Sequence, residues 1–294
     1  MRQIIANFIQ FHLNKYKKYW LAAISTVLII IIANNSRYNK TRYLETRDWD
    51  SLNLIEICRN DLLRMAESLE FADLEQHYNY FHPFARFLCR YRFNRQISIL
   101  EMGVGGYTKK TEGGNSLRVW HQFFPNAKVI VGVDISEKQL DLPDNVKIIQ
   151  MNASDESMAT RVCDFYGPFD IIFDDASHIS YDVIRSFEIN WQCLRSDGIY
   201  VVKDTQTSYL EFFNGSKNLN DPKTSMNYFK SLTDQQNYAE ILISNPLFKP
   251  MDKAKQLLGI HFYHNIIFIE KGDNTLPSNL APNRNILQKF SGLG

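Results

Sequence analysis

Two short segments concentrate the side chains that can do chemistry. "FDDASHIS" carries Asp174, Asp175 and His178, and "VVKDTQTSY" carries Lys203 and Asp204. Each begins in an apolar run of strand character. Two carboxylates from two strand ends can share one hard divalent cation through oxygen ligands. A histidine three residues from one of them can take a hydroxyl proton near neutral pH. A third segment, "ILEMGVGGYTKKTEGGNS" (99–116), sets Glu101 just before a turn containing Gly103, Gly105 and Gly106, with Gly113 and Gly114 further on. Glycines after a strand let the backbone approach a bound molecule closely. The next strand ends on Asp134, whose carboxylate can accept hydrogen bonds from ribose hydroxyls. The dinucleotide fingerprint would want a further glycine where Thr108 stands. A phosphate would also be repelled by Glu101, whereas a cationic ligand bearing an ammonium group would not. The pattern therefore predicts nucleoside binding of a non-pyrophosphate kind.

The elements that must position these groups follow from periodicity. Apolar residues at Leu52, Ile55, Cys58, Leu62, Met65 and Leu69 have helical spacing and predict a helix over 51–69. A second helix is predicted over 80–91. From residue 97 the pattern alternates. Strands are predicted over 97–102, 127–135, 146–152, 169–177 and 199–205. Helices are predicted over 115–124, with Asn115 or Ser116 as N-cap, and over 181–194, ended by "SDG". A helix over 227–238 and a late strand or strand pair over 261–272 complete the count. Alternating buried strands and helices give an α/β fold, a doubly wound, mostly parallel sheet covered on both faces, with an N-terminal helical extension. The expected divisions are 1–40, 41–95 as a helical lead-in, 96–272 as the main domain, and 273–294 as an irregular tail.

The stretch "ILEMGVGGYTKKTEGGNSLRVWHQFFPNAKVIVGVDIS" resembles class I S-adenosylmethionine-dependent methyltransferases. More narrowly, it is similar to the macrolide-sugar O-methyltransferase group, with its E-x-G-V-G-G-Y turn, G-G-x-S-L-R-x-W helix start and V-D-I strand end. The resemblance covers roughly residues 97–272 and implies a Rossmann-like methyltransferase fold. It implies that Glu101, Gly103 and Gly105 line the methionine end of S-adenosylmethionine and that Asp134 holds the ribose. It places "NASD" near the adenine, with Asn152 where the group has an Asp. Tyr107, Ser116, Ile135, Ser154 and Asp174 join the implied cofactor site. The related enzymes use a D-G-S-H segment and an E-D pair for magnesium, with the histidine as base. The matching positions are Asp175 and His178, then Lys203 and Asp204. Lys203 stands where the group has a metal-binding Glu. Either Mg2+ binds through Asp175 and Asp204 with waters, or Lys203 itself supplies the positive charge. His178, Asp175 and Lys203 are then the catalytic candidates, in O-methylation of a sugar hydroxyl of a glycosylated natural product or glycan. The loop 205–223, with Tyr209, Phe212 and Phe213, is expected on the acceptor side. A non-catalytic cofactor-binding member and a nicotinamide-dependent oxidoreductase are the competing readings.

Charge and composition bound the partners. The 294 residues carry a net charge of +1, which gives no argument for nucleic acid. The first fifty residues hold eight Lys/Arg and three Asp/Glu, so the basic excess lies at the N-terminus. Residues 19–36 are free of charge and would span about 27 Å as a helix, near the thickness of a bilayer's hydrocarbon core. A membrane anchor is the leading expectation there, against a signal peptide or a packing helix. It implies a membrane-associated, single-pass chain with its catalytic domain facing the cytosol. The expected partners are a small-molecule or glycan acceptor and the membrane, with a homo-oligomer left open. Cys58, Cys89, Cys163 and Cys193 are widely spaced and include no C-x-x-C pair. A disulfide framework or zinc site is therefore not expected, and a reducing compartment is.

Overall fold

The computed structural model describes residues 52–69, 78–93 and 96–278. Seven strands form one sheet in the order β3-β2-β1-β4-β5-β7-β6. They are β1 (Ser98–Met102), β2 (Val129–Asp134), β3 (Val146–Gln150), β4 (Phe169–Asp174), β5 (Leu194–Lys203), β6 (Leu257–Tyr263) and β7 (Ile266–Lys271). The first five run parallel, and β7 is antiparallel to both β5 and β6. β1 and β4 are buried along their whole length, as their unbroken apolar runs require when helices cover both faces. This is the Rossmann-like methyltransferase architecture.

Helices α1 (Leu52–Ser68), α2 (Tyr78–Leu88), α3 (Asn115–Phe123), α4 (Glu156–Tyr166), α5 (Ser180–Asn190), α6 (Ser225–Gln236) and α7 (Tyr238–Ser244) surround the sheet. Side chains alternate along a strand, so each strand serves two cores. Leu100 and Met102 of β1 join Val162 of α4, Phe187 of α5 and Phe229 and Leu232 of α6 in one apolar cluster. Ile99 and Glu101 therefore belong to the opposite face, which α2 and α3 cover. There Trp120 stacks on Phe173 with ring centroids 4.5 Å apart. Phe84 of α2 meets Trp120, Phe173 and Phe268 edge-on. The lead-in helix α2 is thus built into the core of the sheet.

Several expectations are corrected. Helix α5 stops at Asn190, and β5 begins at Leu194, so "SDG" lies inside a strand. Residues 195–197 are exposed where the β4–β5 pairing shifts register, and polar residues are tolerated there. The cap of α3 is Gly114, with φ 73°, in place of Asn115 or Ser116. Helix α4, capped by Asp155 accepting from the Met158 N–H, was not anticipated. The cysteines pair, Cys58 with Cys89 and Cys163 with Cys193. Their separations of 31 and 30 residues hide Cα distances of 6.0 and 5.6 Å, which only folding creates. The argument for a reducing compartment falls with them. The membrane-associated, single-pass location is also withdrawn. Among the described residues no helix is long and apolar enough to cross a membrane, and the apolar run at 19–36 lies outside them. The tail beyond 278 lies outside them too.

Because Phe84 is nearly inaccessible and touches three core rings, Phe84→Ala should cost about 3–5 kcal/mol in urea unfolding. A loss below about 1 kcal/mol would mean that α2 is not part of this core.

Candidate active site

The order 3-2-1-4-5 reverses direction between β1 and β4, and a crevice opens there at the carboxyl ends of the strands. A cavity of about 1340 Å³ occupies it. One wall is the glycine turn after β1. Gly103 has φ +92°, and a Cβ there would stand 2.1 Å from the Asp175 carbonyl oxygen, so no other residue fits. Gly113 crosses back over the same turn, where a Cβ would lie 2.5 Å from the Gly105 carbonyl oxygen. The second glycine pair thus folds the 107–112 loop onto the first. Lys138 Nζ ties that loop down by donating to the carbonyls of Tyr107 and Lys109 at 2.6 and 3.1 Å. Asp134 at the end of β2 accepts from the Val104 N–H at 2.9 Å and the Ser136 N–H at 2.8 Å.

The other wall is a charged cluster. His178 Nε2 lies 3.9 Å from Asp175 Oδ1 and 3.8 Å from Asp204 Oδ2. Lys203 Nζ donates to Asp175 Oδ2. The Tyr80 hydroxyl and the Gln206 amide each lie 3.0 Å from Asp204 Oδ1. Asp175, His178 and Asp204 each offer a donor atom, and these atoms lie within 4.8 Å of one another. Both His178 (φ 57°) and Asp204 (φ 54°) hold the left-handed backbone conformation, which non-glycine residues rarely adopt and which clusters at functional sites.

Burial sets the electrostatics. Desolvation opposes the charge of Lys203, but the carboxylates of Asp175 and Glu101 outweigh it and hold the ammonium above its ordinary pKa. Burial likewise opposes ionised Asp204. The Gln206 amide and the Lys203 charge prevail and keep its pKa below the usual range. Glu101 is pushed up to about 8 by burial, which the Lys203 charge relieves only in part.

No family model matches the chain. It is 40% identical over 185 residues to mycinamicin VI 2''-O-methyltransferase of Micromonospora griseorubida, covering 62% of this chain and 45% of that protein. It is 35% identical over 202 residues to demethylmacrocin O-methyltransferase of Streptomyces fradiae, covering 67% and 50%. Among solved structures, the MycE methyltransferase in complex with Mg, SAH and mycinamycin VI superposes with a TM-score of 0.68 at 33% identity, over 79% of this chain and 59% of that one. Both curated relatives are O-methyltransferases. The chain spans about half the length of the curated relatives it matches.

Most residues singled out from the sequence meet at the cavity. Gly103, Gly105, Tyr107, Ser116, Asp134 and Ile135 line one side, with Asn152 and Ser154 beyond them. Asp175, His178, Lys203 and Asp204 line the other. Two do not reach it. Glu101 is fully buried beneath the turn, where Oε2 accepts from Ser116 Oγ and Trp120 Nε1 and Oε1 has no partner among the described residues. Asp174 shares the face of β4 that carries Ile172, so it points into the α5 side of the sheet. It pairs there with the Tyr200 hydroxyl at 3.3 Å, and burial pushes its pKa up to about 7. Of the loop aromatics, Phe213 lines the cavity, while Phe212 is exposed. Tyr80 and Gln206 were missed. Gln206 stands two residues after Asp204 and was within reach of the motif; Tyr80 sits in a distant helix and gave no signal.

Glu101 holds a proton in the folded chain up to about pH 8, but only to its ordinary 4.5 when unfolded. Between those values the folded state binds more protons, so this residue's contribution to stability falls as pH rises. Glu101→Gln should remove that slope. A wild-type-minus-variant difference in urea midpoint that stays flat across the window would refute it.

Proposed function

We propose that the chain is an S-adenosylmethionine-dependent O-methyltransferase that methylates a sugar hydroxyl of a glycosylated natural product or glycan, with His178 as general base. The observation that carries the reading is the placement of His178 Nε2 between the carboxylates of Asp175 and Asp204. It faces the same cavity as the glycine turn and Asp134.

The residues fit the cofactor. A Cβ on Gly105 would meet only the Gly113 Cα at 3.9 Å, which leaves open space over the turn. Asp134 keeps lone pairs beyond its two backbone bonds and can accept from ribose hydroxyls. Asn152 and Ser154 stand further along, toward an adenine. Glu101 lies buried beneath the turn and does not itself reach the cavity. When bound, S-adenosylmethionine supplies a methyl group activated by its sulfonium.

His178 accepts the acceptor hydroxyl's proton as that oxygen forms its new bond to the methyl carbon. The electron pair of the broken carbon–sulfur bond would stay on the donor's sulfur, which would leave as a neutral thioether. Asp175 and Asp204 flank the imidazole. Tyr80 and Gln206 hold Asp204 in place. Asp175 and Asp204 are also the residues that would carry a metal ion. Magnesium prefers oxygen donors in octahedral array, and here one Asp175 oxygen is taken by an ammonium and the third donor is a nitrogen. Phe213, with the 205–223 loop, offers an apolar face to the acceptor.

His178→Ala should lower turnover on a glycoside with a free hydroxyl that the wild type methylates by ~10²–10⁴-fold, the usual worth of a general base. Its affinity for S-adenosylhomocysteine, read by calorimetry, should stay unchanged. Wild-type turnover in the variant would remove the base assignment.

A further inference from the structure

We propose that the Lys203 ammonium is the resident cation of this site, so that methyl transfer here needs no divalent metal. The inference rests on the methyltransferase reading above.

Lys203 is only 8% exposed and ends β5, where its Nζ sits on Asp175 Oδ2 and reaches the cavity. Asp175 and Asp204 alone would put two negative charges around His178 Nε2. That arrangement would collect a divalent ion. The ammonium removes half of the charge and occupies one of the four carboxylate oxygens. Asp204 Oδ1 is engaged by the Tyr80 hydroxyl and the Gln206 amide. Asp175 Oδ1 and Asp204 Oδ2 lie 3.9 and 3.8 Å from His178 Nε2. A divalent ion between them would face a fixed positive charge across the Asp175 carboxylate. The MycE complexes were solved with Mg; in this chain the Lys203 side chain supplies a cation beside the Asp175 carboxylate.

A fixed charge beside the base is useful to the reaction. As the proton leaves the acceptor hydroxyl, negative charge grows on its oxygen, and a preorganised cation stabilises it without reorganisation. Lys203 thus acts as a positioning residue: it holds Asp175 in its rotamer and sets the local potential.

The test titrates the full chain with Mn2+, followed by electron paramagnetic resonance, and measures turnover in chelator and in Mg2+. The wild type should show no saturable Mn2+ binding and equal turnover in both. Lys203→Glu should bind Mn2+ and lose turnover in chelator by ~10-fold or more, regained with Mg2+. Lys203→Gln should lose turnover without gaining metal binding or changing affinity for S-adenosylhomocysteine. It decides the matter together with the wild type if Lys203→Glu does not fold. Saturable Mn2+ binding by the wild type, with turnover abolished by chelator, would overturn the proposal. Absence of S-adenosylhomocysteine binding would instead sink the functional reading and leave the metal titration to stand.

Discussion

The site depends on the parallel register of β1, β4 and β5. Met102 pairs with Asp174, and Asp174 with Val202. Asp175 and Lys203 are therefore the next residues on neighbouring strands, and their side chains meet as the strands end. The Asp175 N–H donates to the Met102 carbonyl at 2.9 Å, which extends the same ladder one residue into the site. A slip of one residue would turn Lys203 into the α5 face and replace it with Val202 or Asp204. The ion pair, the imidazole beside it and the turn above Gly103 all follow from that one alignment.

Charge burial is the cost of this arrangement. Glu101, Lys203, Asp175 and Asp204 sit close together with little access to water, which is tolerable only where each charge has a partner. Lys203 and Asp175 satisfy each other. Asp204 draws on a hydroxyl and an amide. Glu101 is left half satisfied, and burial favours its neutral form in the free chain. The left-handed backbone at His178 and Asp204 adds strain at the same place. Strain and unmet hydrogen bonding concentrated in one crevice mark where the fold gives up stability for chemistry.

Much of this was legible in the sequence. Unbroken apolar runs located the buried strands, and acids at their ends located the crevice. The motifs around Gly103 and Asp134 gave the family resemblance. What could not be read depends on facing and on long-range contact. Asp174 and Asp175 are adjacent, and strand alternation sends the first into the core and the second into the site. Glu101 has the right type at the right position but lies one layer below the cavity. The cysteine pairs join residues 30 and 31 apart that no spacing rule connects. "SDG" reads as a helix stop because its exposure comes from a register shift between strands, which is a property of the pairing and not of the segment. Tyr80 belongs to a helix whose packing on the sheet is decided by Phe84 and its ring partners.

The proposed acceptor side is the 205–223 loop and the mouth of the cavity, which Phe213, Leu210 and Tyr107 line together with the charged cluster. The methyl donor and the base are proposed to share this one crevice. A crystal structure of the chain with S-adenosylhomocysteine tests it most directly. The account predicts ribose hydroxyls on Asp134 and the thioether sulfur directed at His178. S-adenosylhomocysteine seated elsewhere, or a sulfur turned away from the imidazole, would contradict it.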